Sequence, residues 1–547
     1  MRLIGDATGD MEVRVSTVVV VLLIAVAATV SCLFIVTYPL NIAGAGDAIT
    51  YLRMMISRES NLIHASGGPF IVGSLLRMLG ATAPANELDT PYLFEVLLTQ
   101  HAIHFAILSV CFWMCVRCFG IVAGGILLLA WTINVAFLSS VTSTLPDWLL
   151  GDLICLATML CAVAYLSDRQ LLKAGAYLSA SFVLVWAFLV KYNAAVFVAM
   201  LLALILTEAA SWRWRLIVMG GCAAIFACVV TLYVYFFHLP STGTTDLNYD
   251  HAWILIMPVG DSLKPSNGIN TQRWIALNAI LPPSYDQAKA YRNITDIAPP
   301  EILSQYRARY EQIMQLSETE LRDFINQHPL PPAFNVDASA IPLYYYVGLR
   351  ETDQLGVKVF LEYLAANPIT HIKKALQATF THSPASEATP IIPFPHRMGV
   401  LEPGRNLANS FRELKGAMNF SSHYWSPDLI VWWPGTQFFE WLNNLLPMKA
   451  IETIALMVGF AGILSSPSAR GRRLSAVIVA MWFIFTWSCL FIEHMIFKEF
   501  VAIWPFTSFM LAIGIGSLVG LGSRRYREAR HGRARETDRE RFASAKS

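Results

Sequence analysis

Charge is in short supply: Asp, Glu, Lys and Arg make up 14% of the 547 residues, against 55% hydrophobic residues and a mean hydropathy of +0.50. Such a composition excludes the ordinary water-soluble class and places the chain among membrane proteins. The net charge of +2 supplies no general basic field, since the basic residues cluster in short connections and in the C-terminal tail. No nucleic-acid partner is expected. Cysteine is missing from the long polar stretch 238–448, and the nine cysteines, at 32, 111, 115, 118, 155, 161, 222, 228 and 489, lie in or beside apolar runs. That distribution excludes a disulfide framework and a thiolate metal site. Cys111, Cys115 and Cys118 stand at helical spacing, but without polar co-ligands they read as small packing residues. Also absent are a phosphate-cradling Walker loop, a dinucleotide-binding glycine fingerprint, an HExxH pair and a Gly-x-Ser-x-Gly elbow. Nucleotide-driven chemistry on the cytoplasmic side therefore has no support. The chain has no repeat of solenoid period and no inverted repeat of the transporter kind.

What is present is a succession of apolar runs. Ten read as membrane spans: residues 16–37, 99–116, 121–139, 149–166, 174–190, 193–206, 216–237, 450–464, 474–492 and 500–521. The first can cross about 30 Å of hydrocarbon at about 1.5 Å per residue. It exceeds a signal-peptide core, and no small-x-small cleavage site follows before Tyr38-Pro39, so it reads as an uncleaved transmembrane helix. Alternate connections differ in charge. Arg2, Arg14, Arg117, Arg169, Lys173, Arg213, Arg215, Arg470, Arg472, Arg473 and the tail from Arg524-Arg525 fall on one side, while the short connections of the other side hold Lys191 and Lys498. By the positive-inside rule the first side is cytoplasmic, and both termini lie there. The expected fold is an all-α polytopic membrane protein of about ten transmembrane helices, in a bacterial inner (plasma) membrane or, as the alternative, an endomembrane. Its expected parts are a cytoplasmic N-terminus 1–15, spans one to seven in 16–237 with a first outer loop 38–98, a large extracytoplasmic loop 238–448 with interfacial helices between spans seven and eight, spans eight to ten in 449–521, and a basic disordered cytoplasmic tail 522–547.

The large loop is mixed in character. Residues 301–328 read as one charged, soluble helix. Asn367-Pro368 reads as an N-cap with proline at the first helical position, followed by Ile369, Ile372, Leu376 and Phe380 on one face with Lys373 and Lys374 off it. Such a helix lies flat on lipid or docks on the loop's own core, and the residues leave both open. Trp425, Trp432, Trp433, Phe438, Phe439 and Trp441 form an aromatic group suited either to the headgroup layer or to a lipid-binding groove.

The residues hardest to explain are polar ones at span boundaries. NIAGAGDAITYL, residues 41–52, places Asp47 at a membrane surface just after the first span. A carboxylate there is poorly explained by packing, although Gly46-Asp47 also makes a sound helix N-cap. On the expected topology Asp47 shares the outer surface with Asp147, Lys191, Glu493, His494, Lys498 and Glu499. Asp147, after Leu145-Pro146, has its own reading as an N-cap, and Lys191 and Lys498 have one as snorkelling side chains. His494 equally suits an interfacial histidine. Asp152, one turn into the fourth span, is buried by position and suited to a local partner.

Several short motifs resemble those of a known family. GDAITYL, SGGPFIVGSLLRMLG and QHAIHFAILSVCFWMCVRCFG look like the start of the GT-C glycosyltransferases that use polyprenyl-phosphate sugars, a group that includes protein mannosyltransferases and aminoarabinose transferases. The resemblance continues in LPDWLLGDLICLATML, VKYNAAVFVAMLLALIL, FLEYLAANPITHIKKALQATF and HMIFKEFVAIWPFTSFML, covering nearly the whole membrane part. In that family an acid opens the first outer loop and a proline-containing segment returns to the membrane. Two departures stand out. Asp47 is followed by Ala48 where many members carry a second acid, and Lys498 stands where many show Arg, which implies a point charge on phosphate rather than a bidentate fork.

The resemblance implies inverting transfer of a sugar from a polyprenyl-phosphate donor to a glycan, glycolipid or protein acceptor on the extracytoplasmic side, with membrane lipid as the surroundings. Asp47 is then the expected general base with Asp147 assisting, and Lys191, Lys498, His494, Arg53 and Arg58 are expected at the donor phosphate. The lipid-linked sugar is the co-substrate and no cofactor is expected, a divalent cation shared by Asp47 and Asp147 being the alternative. The rival reading is a transporter or flippase for a lipid-linked saccharide. It calls for polar or Gly/Pro-broken spans near mid-membrane, whereas these spans are almost uniformly apolar.

Overall fold

The computed structural model describes residues 11–37, 46–62, 64–82, 90–142, 144–247, 249, 251–256, 259–280, 300–329, 343–344, 346–381, 438–439, 441–442, 448–466, 468–493 and 503–521. Every regular element among them is helical. Helix α1 (Met11–Thr37) leads to two short helices, α2 (Gly46–Ser57) and α3 (Gly67–Met78), then to α4 (Thr90–Phe119), α5 (Ile121–Thr132), α6 (Val135–Val141), α7 (Asp147–Leu166) and α8 (Gln170–Val190). A 3-10 turn, Tyr192–Ala195, opens α9 (Val196–Leu206), and α10 (Trp212–Tyr233) widens through a π turn, Val234–His238, into α11 (Leu239–Thr242).

The polar stretch that follows builds a core of its own. Helices α12 (His251–Ile256), α13 (Ile269–Ile280), α14 (Pro300–Gln315), α15 (Glu318–Gln327) and α16 (Leu349–Ala366) bury Trp274, Leu277, Ile313, Leu321, Tyr344 and Val359 together. Carboxylates tie it. Glu362 accepts from the backbone N–H groups of Asn270 and Thr271, at 3.0 and 2.8 Å, and so caps the open start of α13. Asp353 accepts from the Ala252 N–H at 2.8 Å at the start of α12. The single helix expected over 301–328 is in fact two, because Ser317 and Glu320 form a capping box that begins a new helix at Glu318. Helix α17 (Pro368–Thr381) begins at the expected proline and packs on the later span α19 defined below. It buries His371 and Ala375, while Ile369, Ile372 and Leu376 are 75, 41 and 45% exposed, so the apolar face is not docked on the loop's core. In the aromatic group, Phe439 is buried against Phe34 of α1 at 4.9 Å and Trp441 is exposed; Trp425, Trp432 and Trp433 lie outside the described residues.

The chain returns through α18 (Met448–Ser465), α19 (Ala469–Glu493) and α20 (Ile503–Leu521). Among the described residues six helices are long and apolar enough to cross a membrane: Tyr92–Phe119, Asp147–Leu166, Gln170–Val190, Trp212–Thr242, Ala469–Cys489 and Ile503–Leu521. The expectation of about ten is therefore too high. The other four runs give shorter apolar helices, Val21–Ile35, Ile121–Thr132, Tyr192–Leu206 and Ile454–Ser465. Two have visible causes. Asn134 interrupts the run 121–139, its side chain accepting from the Phe137 N–H at 2.7 Å to start α6. The run 193–206 spends its first turn in 3-10 geometry and leaves an 11-residue α9, about 17 Å long, well short of a bilayer.

Helix α7 is the axis of the bundle: most of it is buried, whereas most of Trp212–Thr242 is not. Gly151, Cys155, Ala157, Cys161, Ala162 and Ala164 are all buried along it, and such small side chains let α4, α8, α9 and α19 approach closely. At its C-terminal end a buried knot joins α8 to the turn after α9: Lys173 Nζ lies 2.5 Å from Glu208 Oε2, and the Tyr177 hydroxyl donates to Oε1 at 3.1 Å. Arg470 and Asp168 meet nearby at 2.7 Å on the surface. Removing one partner from a buried pair strands the other charge. Glu208→Ala is expected to cost about 3 kcal/mol or more, and Arg470→Ala less than about 1 kcal/mol, as read from thermal or denaturant unfolding in detergent.

Candidate functional site

The opposite end of the bundle, where α7 begins and α8 ends, brings together two of the polar groups that the sequence singles out, Asp147 and Lys191. Pro146 takes the N-cap position and Asp147 is the first residue of α7, so its carboxylate is not the cap. Instead it is buried and accepts from Lys191 Nζ at 2.9 Å. Lys191 stands directly after α8 with extended backbone, its N–H still bonded to Ala187. A span hairpin brings the start of one helix to the end of the next, so residues 44 positions apart share one contact. Lys191 therefore has a specific acidic partner, beyond the snorkelling expected of a boundary lysine.

Helices α2 and α3 cover this corner. The glycines at the start of α3 make it possible: a Cβ on Gly67 would come within 2.5 Å of the Leu189 backbone, and one on Gly68 within 2.7 Å of Pro146. Gly73 stands equally close to the Met55 backbone of α2. Phe70 then stacks on Trp186 of α8, with centroids 5.8 Å apart, and meets Phe237 edge-on at 4.7 Å. On α2, Tyr51 and Met54 are buried with Leu145, two residues ahead of Asp147. Asp47 is the second residue of α2, one turn before Tyr51; its side chain lies outside the described part. Arg53 is half-buried on α2, and Arg58 is exposed just past its end, in left-handed backbone geometry with φ +60°. Arg58 thus lies beyond the helix that carries Asp47 and Tyr51, which stops at Ser57. Glu493 closes α19, and His494, Lys498 and Glu499 lie outside the described residues.

A polar seam that the sequence reading missed ties the α2–α3 connection to the end of α10. The π turn presents His238, whose Nε2 donates to the Asp246 carbonyl at 2.7 Å while Nδ1 meets the Ser60 hydroxyl at 2.6 Å. Ser60 continues to Ser66 at 3.0 Å, and Ser66 accepts from the Asn61 N–H at 3.0 Å. The Tyr249 N–H donates to the Leu62 carbonyl at 2.8 Å, and the Tyr192 hydroxyl to the Leu247 carbonyl at 2.7 Å. Burial, joined by a hydrogen bond to Asp246, pushes the Tyr249 hydroxyl above its ordinary range. The one sequence sign of this seam is His238 itself, an imidazole closing an otherwise apolar run.

The corner thus offers a buried carboxylate, a half-buried ammonium held against it, and a two-helix cover that carries a further acid in its first turn. Chemically it can bind an anion at Lys191 and take up a proton at a carboxylate. Among the described residues no three His, Cys, Asp or Glu side chains converge in a metal-binding arrangement. Gly67→Ala is expected to lower stability by about 1–3 kcal/mol because the clash is with backbone, whereas Gly175→Ala, facing open space on α8, should be neutral or stabilising by up to about 1 kcal/mol. Thermal unfolding in detergent measures both. No protein-family model, curated protein or solved structure matches the chain.

Proposed function

We propose that the chain is an integral-membrane glycosyltransferase that moves a sugar from a polyprenyl-phosphate donor to an acceptor hydroxyl on the extracytoplasmic side, with the Asp147 end of the bundle facing outward. The observation that carries this reading is the meeting of Asp147 and Lys191 beneath α2, whose first turn holds Asp47. The motif resemblance adds that an acid-opened loop and a proline-containing returning segment belong together, and α2 and α3 pack on each other in that order.

In the proposed step the acceptor oxygen attacks the anomeric carbon and its proton passes to Asp47. The bond from that carbon to the phosphate oxygen breaks, the phosphate keeps the electron pair, and configuration inverts. Lys191 stabilises the departing phosphate, and Asp147 holds Lys191 until the donor arrives. His494, Lys498, Arg53 and Arg58 remain further candidates for the phosphate. Because the glycosyl phosphate already carries the driving energy, the reaction needs no nucleotide.

One observation favours the rival reading of a lipid-linked saccharide carrier: α4 and α7 hold a histidine–carboxylate pair at membrane depth, His104 with Asp152. A single experiment separates the two readings. Purified protein is incubated with radiolabelled polyprenyl-phosphate sugars and candidate acceptors, and release of free polyprenyl phosphate is followed. Wild type is expected to release it, and a folded Asp47→Asn protein to do so about 10²–10⁴ times more slowly. Near-wild-type release by Asp47→Asn removes Asp47 as base; donor binding with no release across the panel favours the carrier.

A further inference from the structure

The His104–Asp152 pair is not used by the chemistry just described. His104 Nδ1 lies 3.0 Å from Asp152 Oδ2 and 3.3 Å from Oδ1, and both side chains are wholly buried. Counting about 1.5 Å per residue back from Leu166 and from Phe119, both stand roughly 20 Å from the far ends of their helices, inside the hydrocarbon depth. Ionisable groups at such depth are costly and usually serve a function. A tie between α4 and α7 would by itself explain the pair.

It does not explain what stands one turn nearer the Asp147 end. On α4, three residues before His104, His101 is buried with neither ring nitrogen bonded to any described residue. On α7, four residues before Asp152, the Trp148 indole N–H is likewise buried and unbonded among the described residues. His104 Nε2 is in the same condition, and so is the indole N–H of Trp131, whose ring centroid is 5.8 Å from that of His104. The i, i+3 and i, i+4 spacings put His101 above His104 and Trp148 above Asp152, so the two parallel helices carry matching polar steps. Trp148 in turn adjoins Asp147, whose carboxylate holds Lys191 at the bundle's end. Buried polar groups are satisfied by protein or by ordered water, and water is the smallest molecule that offers both a donor and an acceptor, as His101 requires.

We propose that His104 and Asp152 form a proton-binding dyad connected to the Asp147 end of the bundle by a file of water held between His101 and Trp148. With its Nδ1–H donated to the Asp152 carboxylate, His104 presents Nε2 as the acceptor. A proton arriving there makes an imidazolium paired with the carboxylate, and it leaves by the same file; no other species is consumed. The inference goes beyond glycosyltransfer and does not depend on it, because a transferase shedding a hydroxyl proton and a proton-coupled carrier both have use for such a path.

The test needs no substrate. Protein carrying ring-¹⁵N histidine is placed in lipid nanodiscs, the His104 signals are identified by their loss in His104→Gln, and ring N–H exchange is followed after transfer to D₂O. In wild type the His104 proton is expected to exchange within minutes. His101→Phe, which fills the same space without polar atoms, should slow exchange roughly tenfold or more, while His101→Gln, which keeps a donor and an acceptor, should not. Should His101→Phe fail to fold, Trp148→Phe tests the other wall with the same expected slowing. A wild-type His104 proton that persists for a day would mean a sealed structural tie, and equal exchange in wild type, His101→Phe and Trp148→Phe would place the path elsewhere; either result overturns the proposal.

Discussion

The bundle depends on one constraint: a charge carried into a low-dielectric interior must meet its partner there. Helix α7 brings two acids inward, and each is answered from a different neighbour, Asp147 by Lys191 after α8 and Asp152 by His104 of α4. Near the other end, Lys173 of α8 and Glu208 after α9 answer each other. Apolar packing between helices is interchangeable with packing against lipid, so it leaves neighbours weakly specified. Ionic contacts are not interchangeable, since a wrong neighbour would leave a buried charge alone. A few polar side chains thus tie α4 and the end of α8 to α7, and the turn after α9 to α8, while the small residues along α7 let its neighbours come close.

Around the Asp147 end the same constraint acts through backbone. Glycines on α3 bring it against the main chain of α8 and α2, and the serine–histidine seam holds the intervening connection to the end of α10. The π turn is part of this design, because it turns His238 toward Ser60. Cover and floor of the corner are thus built from four separate stretches of chain.

Much of this was legible in the sequence, and the gaps have physical reasons. Apolar run length identified the six long helices because hydropathy alone decides whether a segment tolerates lipid. It misjudged α4, expected over 99–116 but apolar over Tyr92–Phe119. Gln100, His101 and His104 make the first half of that span polar, yet they are buried by neighbouring helices and not exposed to water. The break at Ser317 carries a capping-box signature, but the flanking charges continue across it without a gap, so the charge pattern alone reads as one helix. Asp147 and Lys191 were each singled out, and their contact follows from the hairpin of α7 and α8. The contact of His104 with Asp152 required knowing which helices are neighbours, which no local pattern carries. Glu208 is a related case: one acid among boundary cations looks like a loop residue until its partners, Lys173 and Tyr177, are known.

The backbone at Arg58 bears on how the α2 region can be studied. A side chain at φ +60° sits in the left-handed region, where any residue with a Cβ carries a penalty of about 1–2 kcal/mol and glycine carries none. Here it ends α2, its N–H bonded to the Met54 carbonyl at 3.0 Å. Alanine at this position keeps the penalty while removing the charge, and a β-branched residue adds to it. Glycine removes the guanidinium and relaxes the turn together, so any loss of function in that variant belongs to the missing charge and not to a weakened fold.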